Sequence, residues 1–150
     1  MPAEPGSRRS TCPINHAVEI LGDRWTMLVV RDMVFHHKAS FSELRAMPEG
    51  IATNVLSNRL ARLEAANVIT KGSDPEDGRR NIYELTDHGR GLIPILLDLM
   101  VWSRTHTDDV DVSMDVVRKI RQDRDAAVAE IERRLTFSRA DAGGGRETNS

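Results

Sequence analysis

A single cysteine, Cys12, stands in the 150 residues, so no internal disulfide can staple this chain. No apolar run approaches the roughly 18 residues that a membrane span needs, which excludes a spanning helix. The opening stretch MPAEPGSRRSTC has no apolar segment, so it does not read as a signal peptide, and a cytoplasmic address is expected. Neither sign of charge dominates: the net charge is -2, and the overall basic footprint of many nucleic-acid binders is missing. Enzyme signatures are absent as well. There is no glycine-rich phosphate loop after a strand, no nucleophile elbow and no paired carboxylate arrangement, so no catalytic residues are assigned. His16, His36, His37, His88 and His106 are scattered without ligand spacing, so no metal and no cofactor is expected.

What is present is helical periodicity. Apolar content of 39% and charged content of 29% fit a soluble globular chain long enough for one domain with a real core. Residues 1–11, rich in Pro, Gly, Ser and Arg, read as disordered. From residue 12, "CPINHAVEILGDRWTMLVV" predicts two helices: Cys12 and Pro13 open the first, Gly22 ends it, and Asp23 caps the second. Ile14, Ala17, Val18 and Leu21 form one stripe; Trp25, Leu28, Val29 and Met33 form the next. In "KASFSELRAMPEG", Ser40 or Ser42 can cap a short helix that Pro48 and Gly50 stop.

The stretch "GIATNVLSNRLARLEAANVI" then gives an amphipathic helix near 52–66. Val55, Leu56, Leu60 and Leu63 face a core; Thr53, Asn54, Ser57, Asn58, Arg59 and Arg62 lie opposite. That polar face is short and rich in donors, without the long Glu/Lys pairs that usually solvate a helix. Two short helices joined by a tight turn at 48–51 match a helix-turn-helix. Val68–Thr70 and Asn81–Leu85 predict strands around a loop at 73–78, a hairpin wing whose tip carries Arg79 and Arg80. Thr86 caps a long helix to residue 106, the acidic "TDDVDV" links onward, and a further helix runs from about 113 to 136. The fold expected is mainly α with a small β-hairpin: a winged helix-turn-helix over 12–106, a helical extension over 107–137 and a disordered tail over 138–150.

Three segments together, "CPINHAVEILGDRW", "FSELRAMPEGIATNVLSNRLARLEAANVI" and "YELTDHGRGLIPILLDLMVW", resemble the HxlR-type winged helix-turn-helix regulators, in order, across about residues 12–106. The resemblance implies a small bacterial transcription regulator that acts as a dimer on operator DNA. Ala52 departs from it, standing where the family often has a hydroxyl cap, and residues 107–150 extend past the typical family end.

The polar helix face and the wing supply the candidate DNA contacts. Asn pairs with adenine, Arg with guanine, and Ser or Thr with base edge or phosphate. Thr53, Asn54, Ser57 and Asn58, near the helix start, are the expected base readers, with Arg59 and Arg62 on phosphates and Ser42 on the preceding helix beside them. Arg79 and Arg80 would reach a minor groove or flanking phosphates, unless Asp74, Glu76 or Asp77 claims them. Cys12, at a helix start with His16 four residues on, is a candidate redox sensor, a use the resemblance also implies. Leu96, Leu99 and Trp102 on one helix and Val117, Ile120, Val128, Ile131 and Leu135 on the last offer a homodimer interface, with room for a small-molecule effector between subunits; the alternative is that the last helix folds back on its own domain. A rival function is a winged-helix protein-interaction module without DNA binding. The span Lys38–Gly91 carries eight Lys/Arg against eight Asp/Glu, so charge placement discriminates the two.

Overall fold

The computed structural model describes residues 10–143. Ten elements follow one another: α1 (Pro13–Leu21), α2 (Arg24–Phe35), α3 (Phe41–Arg45), α4 (Thr53–Ala65), β1 (Ile69–Ser73), β2 (Asn81–Leu85), α5 (Asp87–Arg90), α6 (Ile93–His106), α7 (Met114–Gln122) and α8 (Arg124–Gly143). The expected disorder of residues 1–9 and 144–150 falls outside the described residues.

Local chemistry sets the boundaries. Asp23 starts α2, accepting from the Trp25 and Thr26 N–H groups at 3.0 and 3.2 Å. Ser40, not Ser42, caps α3: its hydroxyl accepts from the Glu43 N–H while the Glu43 carboxylate accepts from the Ser40 N–H, a reciprocal capping box. The turn between α3 and α4 passes through Gly50 at φ +75°, a left-handed conformation that glycine adopts without steric cost. Helix α4 begins after Ala52 with no side-chain cap.

Helices α2, α3 and α4 pack around Val29, Val30, Val34, Leu44, Ile51, Leu56, Leu60 and Leu63, all at most 2% exposed. The hairpin pairs β1 and β2 antiparallel, Ile69 opposite Leu85 and Ser73 opposite Asn81. Its base is fixed to the helices twice: the Tyr83 N–H donates to the Ala39 carbonyl at 2.7 Å, and Thr86 Oγ1 donates to the Asn67 carbonyl at 2.6 Å. Gly89 sits against that junction. A Cβ there would lie 2.0 Å from the Val68 carbonyl oxygen, so the spacing Thr86-x-x-Gly89 is a packing requirement.

The C-terminal half differs from expectation in four ways. The helix expected over 86–106 breaks at Gly91–Leu92 into α5 and α6. The helix expected over 113–136 breaks at Asp123 into α7 and α8, where Asp123 Oδ1 accepts from the Ala126 N–H at 2.9 Å. Helix α8 continues to Gly143, past the tail boundary at 137. The apolar stripe assigned to a partner subunit is also largely used within the chain. Leu96, Val117, Ile120 and Leu135 are buried, Leu135 inside the main core, and Val128 and Ile131 pack against it. The extension therefore folds back on its own domain, and residue 106 is not a packing boundary.

Candidate nucleic-acid interface

The first turns of α4 carry the residues that sequence marked as candidate base readers. Thr53, Asn54, Ser57 and Asn58 are exposed, while Val55 is half-buried and Leu56 fully buried beneath them. Because the helix start has no side-chain cap, its free N–H groups and positive dipole end add to the same surface. Ser42, on α3, is exposed nearby in the motif and shares a hydroxyl contact of 3.3 Å with Ser40.

The arginines divide unexpectedly. Arg59 does not stand free for phosphate: its Nε donates to Asp23 Oδ1 at 2.7 Å, and its Nη1 to Asn58 Oδ1 at 2.5 Å. Burial alone would raise the Asp23 carboxyl, but the Thr26 hydroxyl, Arg59 and the Thr26 N–H together hold it below the ordinary carboxylate value. Arg62, exposed, donates through Nη2 to the Glu19 carbonyl of α1 at 3.1 Å. Both side chains thus tie α4 to α1 and to the cap of α2.

On the wing, Arg80 folds away from the loop's own carboxylates. Its Nη2 donates to Ser40 Oγ at 2.6 Å and lies 3.6 Å from Glu43 Oε1, so it joins β2 to the start of α3. Glu43 is held below its ordinary value: burial opposes this, and the Ala39 and Ser40 N–H groups, the Ser40 hydroxyl and Arg80 outweigh it. Asp74 and Asp77 are turned onto the loop's own N–H groups at Glu76 and Arg79. The exposed Arg79 guanidinium has no partner among the described residues, and neither has the exposed Lys71 ammonium on β1, so both are free cations of the wing.

One residue escaped the sequence reading. Arg45, at the end of α3, is exposed and donates from Nε to Thr53 Oγ1 at 3.1 Å. It stands beside the uncapped start of α4, where a phosphate would meet both. Its signal was its place in the last turn of the first helix of the motif. Behind the turn, Arg31 bonds Glu49 with Nη2 to Oε2 at 2.9 Å, and Arg31 and Lys38 both reach the fully buried Asp32. Arg31 pulls the Glu49 carboxyl down to about 2. This network fixes the turn that aims α4. Cys12 is an exposed free thiol at the start of α1.

The arrangement is that of a winged helix-turn-helix: α3, a turn, α4 exposed along its polar face, and a two-stranded wing. The chain belongs to the HxlR-like helix-turn-helix family, whose pattern matches residues 20–111. YvaP of Bacillus subtilis, named as an HTH-type transcriptional regulator, is 37% identical over 98 residues, covering 65% of this chain and 90% of YvaP. A second protein so named, sll1512 of Synechocystis, is 36% identical over 86 residues, covering 57% of this chain and 63% of its own length. Among solved structures, PA1607 aligns with a TM-score of 0.62 at 32% identity, covering 71% of this chain and 72% of PA1607. The oxidised form of the redox regulator HypR aligns at 0.54 and 26% identity, covering 67% of this chain and all of HypR. No helix among the described residues is long and apolar enough to cross a membrane.

Proposed function

We propose that this chain is a cytoplasmic transcription regulator that binds double-stranded DNA as a homodimer on a pseudo-palindromic operator. The observation that carries the reading is the exposed set Thr53, Asn54, Ser57 and Asn58 on the open start of α4, flanked by Arg45 and by Arg79 of the wing. Asn and Ser/Thr at a recognition-helix start read base edges, and the flanking cations take phosphates. The dimer surface is narrower than the sequence suggested. It is supported by Ile95, Leu99 and Trp102 on α6, at 42%, 47% and 62% exposed, and by Ile14 and Val18 on α1, at 72% and 52%. Cys12, exposed at the start of α1, is the candidate sensor; Arg62 would carry a displacement of α1 to α4.

Selection of bound fragments from random duplex DNA tests the reading. Enrichment of a motif repeated about a twofold axis is expected, with half-sites about one helical turn apart. Sedimentation at low micromolar concentration is expected to show a dimer, and Trp102→Asp a monomer. One observation favours the rival interaction module: Arg59, Arg62 and Arg80 are engaged within the chain and do not form a free basic face with Arg79. A selection that enriches nothing would favour that module.

A further inference from the structure

A cavity of about 440 Å³ lies between the end of α2, the wing and α8. That volume falls within the range of small-molecule sites, roughly 300–1,000 Å³. Met33, Tyr83, Leu85 and Leu135 give it apolar walls, and Arg90 of α5 lies in its lining. Leu135 and Ser138 belong to α8, outside residues 20–111, so the site is completed by the C-terminal extension of this chain.

The polar groups of the lining are unevenly occupied. Lys38 is held by Asp32, with Nζ to Oδ2 at 2.7 Å, and Arg80 by Ser40 and Glu43. Arg90 is half-buried as a residue, and its guanidinium has no ion pair or side-chain hydrogen bond among the described residues; neither has the Tyr83 hydroxyl. A guanidinium that lines a cavity without an acceptor is stabilised by an anion, and its planar fork fits a carboxylate with two parallel bonds. Glu43, Asp74, Glu76 and Glu84 in the same lining repel a multiply charged ligand such as a nucleotide far more than a single carboxylate. We propose that this cavity binds a small organic monocarboxylate, its carboxylate on Arg90 and its apolar body against Met33, Leu85 and Leu135. The proposal deepens the regulator reading by naming the class of its effector. The occupant would bridge α8, the wing and, through Arg80 and Glu43, the cap of α3.

Calorimetric titration of the full chain with 4-phenylbutyrate and with the matched neutral amide tests this directly. The acid is expected to bind at least about tenfold more tightly than the amide. Arg90→Gln should bring the acid down to the amide's level, and Ser138→Trp, at an exposed position on the rim, should block both; circular dichroism monitors the fold. No heat with the acid, equal affinity for acid and amide, or an Arg90→Gln protein that titrates like the parent would overturn the site. A chain that binds the acid and selects no DNA would overturn the regulator reading and leave the site standing.

Discussion

Arg59→Ala is expected to weaken the fold and leave the salt dependence of DNA binding unchanged. The arginine Nε and Asp23 Oδ1 are 2.7 Å apart, and the two side chains are 21% and 25% exposed. Fully exposed ion pairs contribute about 0–1 kcal/mol, while hydrogen bonds to charged groups in more sheltered settings contribute about 1.5–3 kcal/mol. After the substitution Asp23 keeps its Trp25 and Thr26 donors, so no orphaned carboxylate remains. A loss of about 1–2 kcal/mol follows, read as a lower urea midpoint at constant slope. A double-mutant cycle with Asp23→Asn, which keeps a cap acceptor but removes the charge, should return a coupling of about 1 kcal/mol. Each phosphate contact contributes about -0.9 to the slope of log affinity against log salt. With Arg59 turned to Asp23, that slope should be the same for parent and variant, even where affinity falls because α4 is less well held. A slope lowered by about one unit with an unchanged urea midpoint would refute the reasoning and put Arg59 on a phosphate.

Four further outcomes are expected. Asn54→Ala and Asn58→Ala should each cost about 1–3 kcal/mol on the selected operator and little on random duplex, by fluorescence anisotropy; equal losses on both would remove them as base readers. Arg79→Ala should lower the salt slope by about one unit, whereas Arg80→Ala should leave the slope alone and lower the unfolding midpoint, because only Arg80 is bonded to Ser40. Leu135→Ala should cost about 2–3 kcal/mol of unfolding free energy, and an unchanged midpoint would show that α8 does not belong to the core. Arg31 holds the Glu49 carboxyl near 2 against its ordinary 4.5, so the folded value lies below the unfolded one. The resulting stability is full above about pH 4.5 and is lost as pH falls toward 2; Glu49→Gln should flatten that acid limb by about 1 kcal/mol after solvent screening, and identical limbs would exclude the clamp.

The elements that sequence located well are those whose signals are local. Asp23, Ser40 and Thr86 each cap a helix through a hydrogen bond to an N–H two or three residues on, and Leu56, Leu60 and Leu63 share a face by helical spacing alone. The internal partners of the arginines were not legible because their acceptors are remote in sequence. Arg59 meets Asp23 across 36 residues, Arg62 meets Glu19 across 43, and Arg80 meets Ser40 across 40. Spacing on α4 shows which face an arginine occupies, not whether another helix offers it an oxygen. The break at Asp123 was missed for a different reason: its capping signal is local, but the threes-and-fours pattern runs through it, since the helices on both sides bury apolar residues.

The apolar stripes pose the same problem at the scale of whole helices. A stripe announces that something covers it without saying whose surface that is. Helix α6 divides the question cleanly. Ile93, Leu96 and Leu97 are buried within the chain, while Ile95, Leu99 and Trp102 remain exposed on the same helix. Helices α7 and α8 bury Val117, Ile120 and Leu135 internally, and they answer for much of the excess apolar surface that sequence had assigned to a partner. Among the described residues, the outer side of α6, the Ile14–Val18 edge of α1 and, on the extension, Val110, Val116 and Phe137 stay uncovered. At about 25 cal/mol per Å² of apolar surface, leaving these side chains in water forgoes several kcal/mol, which a second copy of the chain could recover. Helix α1 is also the element that Arg62 joins to α4, so a partner seated on α1 would bear on the angle of the recognition helix as well as on the stability of the pair.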